Sequence, residues 1–150
     1  MKTIESIIKK KGDEVFSIGD DKKLLEAVKL LNEKKIGALL ILNDKKQIEG
    51  IISERDILRE VDHDEGIIKN VDIKNVMTKK ENIIVAHLKD DIDYAMSVML
   101  KNKIRHLPVL DEEGNLEGII SIGDVLKSEL NEYDRENKYL KDYISGKYPV

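Results

Sequence analysis

Glu49-Gly50-Ile51-Ile52-Ser53 and Glu117-Gly118-Ile119-Ile120-Ser121 are the same five residues set sixty-eight positions apart. Each is followed, three places after its serine, by an aspartate: Asp56 in the first block and Asp124 in the second. Sliding residues 15–60 over 83–128 keeps Ile36/Ile104, Leu39/Leu107, Leu42/Leu110 and Leu58/Leu126 in step with no gap. The chain is therefore a duplication of one supersecondary unit. A unit this small cannot bury its apolar face alone, so the copies are expected to pack on each other, with any ligand site between them.

Working outward from the first block, Ile36–Leu42 and Ile48–Ser53 are short apolar runs separated by the polar stretch Asn43-Asp44-Lys45-Lys46-Gln47, a strand–turn–strand pattern. Upstream, Leu24, Ala27, Val28, Leu30 and Leu31 fall at helical spacing within Lys23–Lys34. Downstream, Ser53 is placed to cap a helix whose first turn holds Asp56 and whose apolar side runs through Ile57, Leu58 and Val61. The second copy repeats the order with Asp91–Lys101, His106–Leu110, Leu116–Ser121 and a helix from near Ile122, while Phe16–Ile18 and Ile83–Ala86 add one strand each. The fold class is mixed α/β, as two tandem repeats.

Boundaries follow the same logic: residues 1–61 form the first repeat, 62–70 a polar linker containing Gly66, 71–130 the second repeat, and 131–150 a helical tail. Asp72-Ile73-Lys74-Asn75-Val76-Met77-Thr78 leads into the second copy, and Thr3-Ile4-Glu5-Ser6-Ile7-Ile8 echoes it one register step off. Leu126, Leu130, Tyr133, Leu140 and Ile144 continue at helical spacing, predicting a long last helix. That tail, with Tyr133, Tyr139, Tyr143 and Tyr148, either covers part of the module or meets a second copy or partner.

Composition narrows the function. Of 150 residues, 37% are charged, but the signs are interspersed and the net charge is only −4, so no broad basic face for nucleic acid is implied. There is no cysteine, hence no disulfide framework and no thiol chemistry. His63, His87 and His106 lack metal-ligand spacing, no Gly-rich phosphate loop is present, and no nucleophile–base pair stands out, so neither a metal site nor a catalytic residue is expected. No apolar run approaches the roughly 18 residues of a membrane span, and the first twelve residues lack a signal-peptide core, which predicts a cytoplasmic protein.

The duplicated junctions carry the chemistry. A carboxylate at a helix start, beside a hydroxyl, can accept hydrogen bonds from both hydroxyls of a ribose, and the free N–H groups and positive end of the helix can hold an anion. Asp56 with Ser53, and Asp124 with Ser121, have that pattern. Ser-x-x-Asp at a helix start is also a good cap with a dipole-favoured acid, and taken singly the motif reads as a cap; its duplication is what points to a ligand role.

Order, spacing and duplication together strongly resemble the CBS domain pair, or Bateman module. The marks are IGALLILNDKKQIEGIISERDIL from Ile36, IRHLPVLDEEGNLEGIISIGDVL from Ile104 and the lead-in DIKNVMT from Asp72, and the resemblance covers about residues 1–130. It implies a stand-alone, non-catalytic regulatory module whose repeats pack through their sheets with pseudo-twofold symmetry. It implies clefts that hold AMP, ADP, ATP, NAD or S-adenosylmethionine, with no other cofactor required, and association as a homodimer that signals to a partner in trans. By the family's pattern, one cleft would use Ser121 and Asp124 for ribose, Arg105 and His106 for phosphate, and Ile36 and Gly37 near the base. The other has Ser53 and Asp56, with Gly37-Ala38 in place of the basic pair and Arg55 as a phosphate contact, and is expected to be weaker or empty. The rival readings are a ligand-free structural or protein-interaction module whose motifs are only caps, and a nucleic-acid binder.

Overall fold

Each repeat runs helix, strand, strand, helix because its apolar residues change period from helical to continuous and back. In the computed structural model, residues 2–12 and 14–136 are described, those after Asn131 by backbone alone. The elements are α1 (Ile4–Lys11), β1 (Ser17–Gly19), α2 (Leu24–Lys34), β2 (Ala38–Leu42), β3 (Ile48–Ser53), α3 (Glu54–His63), β4 (Thr78–Lys79), β5 (Ala86–His87), α4 (Ile92–Asn102), β6 (His106–Leu110), β7 (Leu116–Ser121) and α5 (Ile122–Glu136). Single 3-10 turns occupy Ile73–Asn75 and Lys80–Asn82. Of the long helix expected at the C-terminus, α5 accounts for the part up to Glu136, and the remainder lies outside the described residues.

The residues gather into two compact units that cut across the sequence repeats. One is Val15–Ile84; the other joins the described residues before Val15 to those from Val85 onward. In the first unit the sheet order is β1-β2-β3-β4, with β1 parallel to β2 and the other pairs antiparallel. The second unit has β5-β6-β7, with β5 parallel to β6 and β6 antiparallel to β7.

The lead-ins are therefore exchanged. Asp72 bridges to Lys23 and Ile73 donates its N–H to the Lys22 carbonyl at 3.0 Å, so the segment preceding the second repeat completes the first unit. Thr3 bridges to Asp91 and Ile4 donates to the Asp90 carbonyl at 2.9 Å, so the N-terminal segment completes the second. Ile73 and Ile4, the matching apolar residues, are each wholly buried. Ile73 joins Leu24, Ala27, Leu31, Leu39, Ile41 and Ile52 in one aliphatic cluster. In the second unit, Ile92, Ala95, Met99, Leu107, Val109, Ile120 and Val125 are buried in the corresponding way. Burying each such large side chain favours folding by roughly 1.5–3 kcal/mol.

Helices α2 and α4 stop at lysines in the left-handed conformation, Lys35 (φ 56°) and Lys103 (φ 55°), and the following N–H of Ile36 or Ile104 returns to the carbonyl of Leu31 or Met99. That turn occupies Ile36 and Gly37, so β2 begins at Ala38, later than the apolar run predicts. Leu58 corrects the expectation that it lies on the apolar side of its helix, since it is 70% exposed. Ile57 packs on the core cluster, and the next residue points about 100° away around the helix.

Candidate functional site

Strands β3 and β7 run directly into helices α3 and α5, with no intervening loop. The serine closing each strand is extended while the next residue is helical, so the helix N-terminus opens at the end of the sheet. In the first unit the Ser53 backbone N–H donates to Asp56 Oδ2 at 2.9 Å, the Ser53 hydroxyl donates to the same oxygen at 3.1 Å, and the Asp56 N–H returns to Ser53 Oγ at 3.4 Å. In the second, the Ser121 N–H donates to Asp124 Oδ2 at 2.8 Å and the Asp124 N–H donates to Ser121 Oγ at 3.1 Å. Both motifs are reciprocal helix caps. The cap bonds use Oδ2 of each aspartate.

The neighbouring strand brings the remaining residues to the same place. His106 lies opposite Ser121 in the β6–β7 register, and the Arg105 carbonyl accepts the N–H of Ile122, the first residue of α5, at 2.8 Å. Arg105 is exposed and His106 half-buried. Arg105, His106, Ser121 and Asp124 thus meet at one end of the second unit's sheet. The equivalent backbone in the first unit pairs Ala38 with Ser53 and ties the Glu54 N–H to the Gly37 carbonyl at 3.1 Å. There Gly37 and Ala38 hold the positions of the basic pair, and Arg55 is exposed on the first turn of α3. Ile36 and Gly37, assigned by the resemblance to the base of the ligand held at Asp124, belong to the first unit.

Two cations at these carboxylates were not legible in the local motif. Arg59 Nη1 lies 3.8 Å from Asp56 Oδ1, one helical turn on. Lys11, at the end of α1, places Nζ 2.8 Å from Asp124 Oδ2 and donates to the Ile119 carbonyl at 2.6 Å. Partial burial works to raise the pKa of Asp124, but the hydrogen bonds from Lys11 and the Ser121 backbone, with the lysine charge, outweigh it and hold the carboxyl below its ordinary value.

The histidines remain apart, yet His63 has neighbours that a search among histidines alone overlooks. Glu60, His63 and Asp64 place their side-chain ligand atoms within 4.8 Å of one another, with His63 Nδ1 3.0 Å from Asp64 Oδ1. The hydrogen bond and charge of Asp64 raise the His63 pKa. This group sits at the far end of α3 from Asp56 and adds nothing to the chemistry there.

Comparison with known proteins agrees with this architecture. The CBS domain model matches residues 4–63 and 73–131. The mitochondrial CBS domain-containing protein CBSX3 of Arabidopsis thaliana is 32% identical over 153 aligned positions, taking in 97% of this chain and 73% of the relative. The CBS-domain containing protein ATU1752 from Agrobacterium tumefaciens is 32% identical with a TM-score of 0.80, over 85% of this chain and 99% of its own. The CBS domain pair of protein MJ0100, solved with 5′-methylthioadenosine and S-adenosyl-L-methionine, is similar at 25% identity and a TM-score of 0.71, over 84% of this chain and 98% of its own. CBSX2 in complex with AMP shares the fold at 23% identity and a TM-score of 0.70, over 89% and 99% respectively. Among the described residues, no helix is long and apolar enough to cross a membrane.

Proposed function

The chain belongs to the CBS-domain family, and from that premise we propose that it is a non-catalytic regulatory module that binds adenosine-containing ligands. The observation that carries the reading is the gathering of Arg105, His106, Ser121 and Asp124 at one end of the second unit's sheet. A carboxylate is suited to the two ribose hydroxyls, and a helix N-terminus with an adjacent guanidinium and imidazole is suited to phosphate. The MJ0100 pair, whose complex contains two adenosyl compounds, supports the ligand class. AMP, ADP, ATP and NAD fit the basic residues better than S-adenosylmethionine. Ile36 and Gly37 are assigned to the base on the resemblance alone. The Asp56 site lacks the basic pair and is the weaker one.

Signalling follows from population shift: a ligand changes the module only by its difference in affinity between states, and the altered module acts on a partner in trans. Self-association as a homodimer belongs to the same proposal. Tyr94, Leu100, Leu126 and Leu130 are exposed on α4 and α5 and supply apolar surface for it, while the tail residues Tyr139, Tyr143 and Tyr148 lie outside the described residues. A mass by light scattering at tens of micromolar decides it, a monomer counting against the dimer. The reading also places the protein in the cytoplasm, which cell fractionation tests against the mitochondrial location in the name of the Arabidopsis relative.

A second reading, a ligand-free interaction module, is favoured by one observation: both Ser-x-x-Asp motifs make complete caps. A thermal-shift panel separates the two. AMP, ATP or NAD at about a hundred times its dissociation constant should add roughly 2.7 kcal/mol, and guanine and pyrimidine counterparts less. A flat response to every adenosyl compound, S-adenosylmethionine included, would leave the interaction module as the better account.

A further inference from the structure

The two repeats differ at a residue that lies outside both motifs. Lys11 closes α1, and the backbone of that helix is held on the second unit by the Ile4 hydrogen bond to Asp90 and by the buried side chains of Ile7 and Ile8. From this fixed base its ammonium spans to Asp124 Oδ2 at 2.8 Å and to the Ile119 carbonyl at 2.6 Å. The lysine side chain is 38% exposed and that of Asp124 26%, so the carboxylate end of the pair is partly shielded from solvent.

The exchanged lead-ins put Lys80 at the position equivalent to Lys11, since Thr3 corresponds to Asp72 and Ile4 to Ile73. Lys80 Nζ instead lies 3.8 Å from Glu49 Oε2. Lys11 thus places its ammonium on the motif carboxylate of the repeat that also carries Arg105 and His106. Asp56 has the Arg59 guanidinium at 3.8 Å in place of an ammonium, and Arg105 and His106 come to the end of the sheet where Asp124 lies.

We propose that Lys11 is a charge-selecting residue of the Asp124 site, setting its preference for adenosyl ligands that carry a phosphate over neutral adenosine and over a cationic adenosyl sulfonium. This rests on the adenosyl-site reading. An ammonium has three N–H donors, and Asp124 and Ile119 use two, which leaves one for an oxygen of the ligand. Its charge offsets that of the carboxylate, which would otherwise repel a phosphate attached to the ribose it holds. The same charge opposes a cationic sulfonium attached to that ribose.

The test is calorimetric titration of the full chain with AMP, adenosine and S-adenosylmethionine, for the natural protein, Lys11→Met and Lys11→Gln. Methionine keeps much of the stem and removes the charge; glutamine also keeps a donor toward Asp124 and Ile119, so it guards against a folding defect. Both variants should lose about tenfold in AMP affinity, the scale of one modest ionic contact. Adenosine should change by less than about threefold, and S-adenosylmethionine should hold or bind more tightly. Equal losses for AMP and adenosine, or unchanged ratios among the three, would overturn the assignment and leave Lys11 as an anchor of α1. Binding of no adenosyl compound by the natural protein would overturn the site reading itself, and this inference with it.

Discussion

Gly50 stands so close to Thr78 that a methyl group on its α-carbon would come within 2.7 Å of the Thr78 carbonyl oxygen and 2.6 Å of Met77 Sδ. Gly118, the same residue of the duplicated block, meets only Ile8 Cδ1, at 2.9 Å. In both units the glycine is where the exchanged lead-in lies across the strand. The obstacle is backbone in one unit and the tip of a side chain in the other, because residues 78–79 pair with β3 as β4 whereas the N-terminal lead-in remains helical.

The two substitutions should therefore differ. Gly50→Ala has to push β4 away from β3 and is expected to cost roughly 1–3 kcal/mol. Gly118→Ala is relieved by a rotation of Ile8 and should cost less than about 1 kcal/mol. Urea denaturation of the two variants checks this, and equal midpoints would show that the lead-ins do not lie on the strands in the way described.

Acid should loosen the Lys11–Asp124 contact in a defined direction. The Asp124 carboxyl is held below its ordinary value, so its contribution to stability is present above the unfolded carboxylate pKa of about 3.9 and is lost as pH falls through the lower, folded value. The natural protein should lose more stability over that acid window than Lys11→Met does. Denaturation midpoints measured at intervals from neutral pH down to about 3 make the comparison, and parallel curves would mean the ion pair is absent in solution.

Removing the N-terminal segment should damage the half of the molecule that is distant in sequence. Ile4, Ile7 and Ile8 are buried in the second unit, and each is worth roughly 1.5–3 kcal/mol there. A chain starting after Gly12 is expected to lose amide protection in α4 and β7 while β2 and β3 keep theirs. Hydrogen exchange followed by mass spectrometry reads this, and loss confined to residues 15–60 would contradict the exchange of lead-ins.

Strands β3, β6 and β7 begin and end where the apolar runs do, because continuous aliphatic residues bounded by a polar turn leave little choice of register. The caps were equally readable, since Ser53 and Ser121 act locally on Asp56 and Asp124. What local patterning does not contain is partner choice across the chain. The echo of the lead-in at Thr3–Ile8 was visible, but a lead-in leaves no local mark of the unit it completes, and Lys11 reaches Asp124 only through that exchange. The ends of α2 and α4 were hidden for another reason: Lys35 and Lys103 adopt a conformation usually left to glycine or asparagine. Leu58 adjoins Ile57 in sequence, but neighbouring helix positions point about 100° apart, so an apolar pair does not mark one buried face.

The central claim, a ribose held at Asp124 with phosphate at Arg105 and His106, is tested most directly by calorimetric titration of AMP into the natural protein, Asp124→Ala and Asp56→Ala. Asp124→Ala should weaken the tightest binding event by roughly 1.5–3 kcal/mol, the scale of hydrogen bonds lost to a charged group, with the fold retained. Asp56→Ala should have the smaller effect. Loss of AMP binding in Asp56→Ala with Asp124→Ala unaffected would contradict the assignment and move the principal site to the first repeat.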